Sequence, residues 1–301
     1  MPGDFAVVGG GSTAVDQMLF VDTEIGDGKG RVLRTERRFG GNIANALIAA
    51  ARTGVRCAFL GHLPDDTVAP DLLEHLRAEE VDLSHARLSA GTRPIMSTIL
   101  VGPGGQRYIA YDDDTTVGLP DDLDLDLVRS AKVLVLDAYS PGAGIRAAAA
   151  ARAAGVAVVV DLESASAPRM AELADLADHV VVPRDLALAW TGAATPADAV
   201  AALWRPDRSA VVVTGGADGC WYRAADEGQD SPVRHHPAPQ VVAVDTTGCG
   251  AVFHGVYAAG LARGADVARC ITEATVAAAE CATYPGGIPA RSTAPPLVPS
   301  R

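Results

Sequence analysis

The stretch Asp245-Thr246-Thr247-Gly248-Cys249-Gly250 runs directly into Ala251–Ala262, which reads as the first turns of a helix, and follows the apolar run Val241–Val244. Successive small residues at a helix N-terminus leave several backbone N–H groups free, with the positive end of the helix dipole behind them. That arrangement suits a phosphate or a developing oxyanion. Taken alone, the same residues also read as a tight loop that needs a positive φ. The segment is neither the G-x-x-x-x-G-K-[ST] loop nor a dinucleotide fingerprint, and the early Gly9–Gly11 is not G-x-G-x-x-G either.

Working outward, short apolar runs alternate with Ala/Leu-rich stretches. Phe5–Val8, Arg56–Leu60, Lys132–Leu136, Val156–Asp161, His179–Val182 and Ala210–Thr214 read as strands, the last four β-branched and of the kind buried in a parallel sheet. Asn42–Thr53, Ala69–Glu80, Gly144–Ala154, Arg169–Ala177 and Pro196–Leu203 read as helices between them. The alternation predicts an α/β fold, a doubly wound and mainly parallel sheet with helices on both faces. Two segments break the pattern: Met18–Arg38, polar and holding Gly26, Gly28 and Gly30, and Ile95–Tyr111, which reads strand, turn (Gly102–Gly105), strand. They predict a small β lid standing off the main sheet, or simply edge strands. The Pro-rich tail Pro295–Arg301 is expected to fray.

The 301 residues carry 25 Lys+Arg against 37 Asp+Glu, a formal net charge of −12. That sign opposes nucleic acid and anionic lipid surfaces, so neither is expected as a partner. At 49% hydrophobic and 21% charged residues, the composition is that of a folded globular chain. The five cysteines (Cys57, Cys220, Cys249, Cys270, Cys281) are an odd number with no CxxC pair, which predicts neither a disulfide framework nor a zinc site. No basic segment followed by a long apolar one opens the sequence, and the longest uncharged run, Thr246–Ala262, is broken by Thr, His and glycines. A cytoplasmic location is expected.

Two further clusters bear on ligands. In Gly40-Gly41-Asn42-Ile43-Ala44-Asn45, the glycines allow close approach to the backbone, and Asn42 and Asn45 share a face of the following helix. Both amides can then bind neighbouring hydroxyls of one polyol, although Asn42 also reads as an N-cap. Thr214-Gly215-Gly216 with Gly219 ends a buried strand, where an α/β sheet commonly seats a nucleotide.

In their order along the chain these motifs resemble the ribokinase-like, or PfkB, family of carbohydrate kinases, and the resemblance covers nearly the whole chain. Gly40–Asn45 with Gly54 and Gly61 is similar to the family's N-terminal signature, and Asp245–Phe253 to its C-terminal one. Gly-Gly-Asn-x-x-Asn, Cys57-Ala58-Phe59, Val81-Asp82-Leu83-Ser84 and Pro183-Arg184-Asp185-Leu186-Ala187 look like the ketohexokinase and sulfofructose kinase branch. The resemblance implies one ribokinase-like domain over residues 1–301, with the lid formed by about 12–38 and 93–112. It implies a sugar bound by Asp16, Gly41, Asn42, Asn45 and Asp137, with Arg107 as a further lid contact. It places a nucleotide at Thr214, Gly216, Gly219, Thr275 and Ala282, and a transferred phosphoryl group at Gly248, Cys249 and Gly250. Asp245 and Thr247 fall where some members hold a monovalent cation such as K+. The implied reaction is transfer from Mg2+·ATP to a sugar hydroxyl, and the implied assembly is a homodimer joined through the lid.

One departure stands out. The family keeps its proton-accepting carboxylate immediately after the anion hole, and here that position is Ala251. Because general-base catalysis contributes about 10²–10⁴-fold, this form is expected to bind its substrates and turn over poorly. Either the chain is an inactivated variant of an active kinase, or it is a natural pseudokinase that binds sugar or nucleotide. His254, three residues on, is a candidate substitute base. The segment Arg184–Ala187 also lacks the Asn-x-x-Glu found in many members, so Mg2+ would draw on Asp161 or Glu163. The two asparagines imply a ketose. Arg31, Arg34, Arg37 and Arg38 read either as a solvated face or as a reader of an anionic substituent on the sugar.

Overall fold

Valine-rich runs become parallel strands when helices cover both faces of their sheet, because alternate side chains then bury on opposite sides. The computed structural model describes residues 5–65, 69–103, 107–112, 117–163, 169–284 and 288. The turn expected at Gly102–Gly105 lies partly outside these residues, and the tail Pro295–Arg301 wholly so.

In chain order, β1 (Val7–Gly10) leads to β2 (Ala14–Val21) and its hairpin partner β3 (Val32–Gly40). The chain returns through α1 (Asn42–Arg52) to β4 (Cys57–Leu60) and β5 (His62–Pro64). Then come α2 (Ala69–Ala78), β6 (Val81–Asp82), β7 (Arg87–Ser89) and a second hairpin, β8 (Ile95–Val101) with β9 (Arg107–Asp112). A regular alternation follows: α3 (Leu125–Ser130), β10 (Val133–Asp137), α4 (Pro141–Ala153), β11 (Ala157–Asp161), α5 (Met170–Asp175), β12 (His179–Pro183), α6 (Arg184–Thr191), α7 (Pro196–Leu203) and β13 (Ala210–Thr214). The last described elements are β14 (Cys220–Ala224), β15 (Arg234–His236), α8 (Cys249–Ala262) and α9 (Val267–Cys281).

The main sheet runs β15-β14-β13-β12-β11-β10-β1-β4-β6 and is parallel except for β14 and β15. Val133, Val135, Val159 and Val181 pack on one face with α1, α8 and α9, while Leu134, Leu136, Val158 and Val160 pack on the other with α4 and α5. Helix α8 is buried almost all round because it lies between the sheet, α1 and α9. Its Gly255 is what permits this, since a Cβ there would sit 2.0 Å from the Ala46 carbonyl oxygen. Among the described residues no single helix is long and apolar enough to cross a membrane. The bent pair α6–α7 meets the criterion by length and composition, and buries Leu186, Ala187, Ala199 and Val200.

The two irregular segments form a sheet of their own, β3-β2-β8-β9, in which β2 and β8 run parallel. They are not edge strands of the main sheet. Several element ends also move. The first ladder starts at Val7 rather than Phe5, which is buried with its ring against His85 and Arg56. Helix α2 stops at Ala78 because Glu80 takes a left-handed φ of 61°. Helix α4 begins three residues earlier than expected, at Pro141, whose fixed φ suits a first helical position.

Candidate active site

The carboxyl ends of parallel strands define the site. Strand β1 is flanked by β10 and β4, so successive connections leave it in opposite directions and open a crevice there. A cleft of about 1100 Å³ occupies this crevice, roofed by the four-stranded sheet. Asp16, Gly41, Asn42, Asn45, Asp137, Thr247, Gly248, Gly250 and Ala251 all line it.

Each arrives by a local rule. Side chains alternate across the roof, so Asp16, Ser97 and Tyr111, which lie opposite one another, share the cleft face, followed by Ile99 and Ile109. Burial pushes the Asp16 carboxyl up; a hydrogen bond to Ser97 opposes this and the nearby Asp245 adds to it. Gly41, at φ 100°, caps α1 where a Cβ would meet the Thr13 Cα at 2.7 Å. Asn42 is therefore not the N-cap but the first helical residue, and its side chain is free to line the cleft with Asn45.

On the floor, Asp137 and Asp161 end adjacent strands directly opposite each other. Asp137 is 2% exposed. Its Oδ2 accepts from Ser12 N–H at 2.7 Å and Ser12 Oγ–H at 2.8 Å, and its Oδ1 accepts from Tyr139 N–H at 3.0 Å. Burial outweighs these bonds and pushes its pKa up to about 7. The Asp161 pKa is pushed up to about 6 by the same desolvation, opposed by His254. Its Oδ2 is buried with no hydrogen-bond partner among the described residues, 3.6 Å from His254 Nδ1.

Helix α8 supplies the third wall. Gly248 takes φ 77° as its N-cap, so the positive-φ reading and the free N–H reading of this turn hold together. Cys249 N–H donates to Thr246 O and Val252 N–H to Gly248 O. The N–H groups of Gly250 and Ala251, both on the cleft lining, find no carbonyl among the described residues. This is a concave set of amide donors at the positive end of a 14-residue helix.

Other expected residues lie elsewhere. Arg107 does not line the cleft: its guanidinium donates to Asp245 Oδ1 at 2.6 Å, to Thr246 Oγ1 at 2.8 Å and to Thr247 Oγ1, tying β9 to the loop before α8. Asp245 Oδ1 also accepts the Thr247 N–H and hydroxyl. A monovalent cation at Asp245 and Thr247 does not fit this arrangement, because a guanidinium already holds the carboxylate. Thr214, Gly216 and Gly219 lie on the same carboxyl edge two strands beyond Asp161, outside the cleft lining. Thr275 and Ala282 are buried in and just after α9, and the Ala282 carbonyl accepts from Val244 and Asp245 N–H. His254 is buried behind Ala251, its ring nitrogens 2.8 Å from Gly250 O and 3.0 Å from Val181 O, so it does not face the cleft as a substitute base. Each of the four arginines of β3 and its approach has a carboxylate partner: Arg31 with Asp22, Arg34 and Arg38 with Glu36, and Arg37 with Asp71.

The model of the pfkB family carbohydrate kinases matches residues 7–294. This chain belongs to that family. It is 30% identical over 269 residues to "Probable fructokinase-2" of Arabidopsis thaliana, covering 83% of this chain and 79% of the relative. It is 29% identical over 230 residues to a ribokinase of Mus musculus, covering 73% and 70%. In fold it is similar to Arabidopsis thaliana ribokinase, solved in complex with ribose and ATP, with a TM-score of 0.79 at 23% identity over 95% of this chain and 94% of that one. The mixed α/β architecture read from the sequence is that of the ribokinase-like kinases.

Sequence reasoning passed over several cleft residues. Ser12, which holds Asp137, directly follows the glycines that end β1. Ser97, Ile109 and Tyr111 were legible as alternate positions of the second hairpin. Tyr139 and Ser140, just beyond the end of β10, carried no signal, and Ser140 takes a left-handed φ of 67° that its residue type does not announce.

Proposed function

We propose that the chain binds a sugar against Asp16, Asn42, Asn45 and Asp137 and receives the γ-phosphoryl group of Mg2+·ATP at the N-terminus of α8. The observation that carries this reading is a single cleft joining hydroxyl-binding amides and carboxylates to unpaired amide donors. The strand-end residues Thr214, Gly216 and Gly219, with Thr275 and Ala282 beyond, are proposed to seat the nucleotide. Mg2+ is commonly held by one or two carboxylates plus phosphate oxygens, so the lack of a three-ligand cluster among the described residues is no obstacle. Asp161, with its unpartnered buried oxygen, and Glu163 are the donors that fit it. The ion would screen the phosphate charges; the chain's own residues orient the hydroxyl and hold the transferred group by N–H donors, which is most of what phosphoryl transfer requires. Ala251 supplies no proton acceptor, so turnover is slow in this form.

The paired arginines support a neutral ketose. A second reading, an anionic sugar, rests on a smaller hollow of about 190 Å³ lined by Asp16, Asn45, Gly248, Arg37, Arg38 and His75, which adjoins the sugar residues. We further propose that the four-stranded sheet is a lid and that two copies pair through it. Its exposed Leu33 and Tyr108, 63% and 59% accessible, are apolar surface such pairing would cover.

Calorimetric titration with ATP, fructose, ribose and a sulfonated ketose tests the reading. Binding of ATP and of one sugar, the sugar signal lost in Asn45→Ala, is expected. Absence of both would overturn it.

A further inference from the structure

Five cysteines are spread through the chain, and one pair meets at the anion-binding turn. Gly248, Gly250 and Ala251 line the cleft but Cys249 does not. Its side chain packs back against the core cluster that holds Cys281 at the end of α9, close enough that each thiol shifts the other, Cys249 down and Cys281 up. Cys281 Sγ also lies 3.8 Å from the Thr247 carbonyl oxygen. The same junction is fixed by Val244 N–H and Asp245 N–H, which donate to Ala282 O at 2.8 and 3.1 Å. The end of α9 and the turn before α8 are thus already held face to face.

We propose that Cys249 and Cys281 form a reversible disulfide that switches the anion-binding turn between competent and blocked forms. The chemistry distinguishes this pair from the other thiols. Cys249 is half-buried, so an oxidant reaches it first, whereas Cys57, Cys220, Cys270 and Cys281 are buried; what sets Cys281 apart from the other buried thiols is its place beside Cys249. Its contact with Cys281 pulls the Cys249 thiol down, against burial. Burial pushes Cys57, Cys220 and Cys270 up to about 12, which leaves them as unreactive thiols. The oxidant class is a peroxide. The Cys249 thiolate attacks one peroxide oxygen, breaking the O–O bond to give a sulfenic acid and, with the proton, one water. The Cys281 sulfur then attacks the sulfenic sulfur, an S–S bond forms, and the hydroxyl leaves with the Cys281 proton as a second water. Two thiols are oxidised and one peroxide is reduced to two waters; a small dithiol reverses the change.

A disulfide holds its sulfurs at about 2 Å, much closer than a thiol contact. Closing that gap draws Cys249 toward α9 and turns the Gly248–Gly250 amides away from the point where they converge. That consequence rests on the function proposed above; the disulfide itself does not.

The test treats the full chain with hydrogen peroxide, blocks remaining thiols with iodoacetamide and maps tryptic peptides by mass spectrometry. The expected product links the peptide holding Cys249 to the one from Cys270 to Arg291, with the loss of two hydrogens. Because Cys270 shares that second peptide, Cys270→Ser must keep the link and Cys281→Ser must lose it. Cys249 recovered fully alkylated, or as a sulfinic acid without a link, overturns the disulfide. ATP titration of reduced, oxidised and dithiothreitol-recovered protein then reads the switch: at least about tenfold weaker binding on oxidation, restored on reduction, is expected from displaced donors. A link with unchanged ATP affinity overturns the switch. If the reduced chain binds no ATP, the kinase reading falls and the switch with it, while the peptide map still decides the disulfide.

Discussion

Replacing Ala251 by Asp is the perturbation that separates a crippled kinase from a binding protein. The Ala251 Cβ borders the cleft on the first turn of α8, within the set of amides that would hold the transferred group. A carboxylate there gains from the helix dipole about 0.3–1 kcal/mol, partly offset by desolvation at a position only 6% exposed and by the neighbouring Asp161. Stability should therefore change by less than about 1 kcal/mol, and the carboxylate stays ionised at neutral pH. Restoring a general base is worth about 10²–10⁴-fold in turnover, or about 3–5 kcal/mol of barrier. The assay is ADP release at saturating Mg2+·ATP on fructose, ribose and a sulfonated ketose, with Ala251→Asn as a control of the same size that lacks basicity. The Asp form should exceed both others by at least a hundredfold on one sugar. If the chain as it stands matches the Asp form, or the Asn form does, the assignment of position 251 is wrong. If none turns over while ATP and sugar still raise the melting temperature, the molecule is a binding protein.

Other consequences are independent of turnover. Asp137 carries a folded pKa raised above its unfolded value, so its favourable contribution is full below about pH 4 and is lost as pH rises through about 7. Asp137→Asn should flatten the stability difference between pH 5 and pH 8 by about 2 kcal/mol, read from urea unfolding at each pH; parallel curves for the two proteins would refute the buried-carboxyl argument. Arg107→Ala removes the tie from β9 to Asp245, Thr246 and Thr247. It should cost no more than about 1 kcal/mol at this partly exposed position, yet speed hydrogen exchange in β9 and the loop before α8. Gly255→Ala drives a methyl group against the Ala46 carbonyl and should destabilise by about 1–3 kcal/mol or more, seen as a lower melting temperature. Leu33→Asp with Tyr108→Asp should reduce the light-scattering mass from a dimer to one chain if the lid pairs two copies; an unchanged dimer would place the interface elsewhere.

The sheet was legible because its strands are short β-branched runs whose two faces are both covered. What was missed follows equally from physics. The pair β14–β15 lies at the sheet edge, and its Cys220-Trp221-Tyr222-Arg223-Ala224 run alternates buried and half-buried residues, a weaker signal than continuous burial. The run Val241–Val244 is apolar yet forms no strand: Val242 is 87% exposed, and the Val244 and Asp245 amides are taken by the Ala282 carbonyl. The asparagines and glycines of the site were readable because their roles are local, in a cap and a first turn. Asp137 was readable as a strand end, but its elevated pKa was not, since that depends on burial assembled from several segments.

The same limit explains Arg107. A sequence motif fixes a residue's neighbours along the chain, whereas a long cationic side chain is claimed by whichever carboxylate the fold brings within reach. Here Asp245, 138 positions away, holds it at 2.6 Å, and this one ion pair alters two expectations together. It withdraws Arg107 from the sugar and withdraws Asp245 from a cation. If nucleotide binding draws Arg107 toward phosphate oxygens, Asp245 is released at the moment the anion hole fills. Arg107 ties β9 to the loop before α8 through Asp245, Thr246 and Thr247 together, so exchange rates in β9 should respond to ATP in the wild-type chain but not in Arg107→Ala.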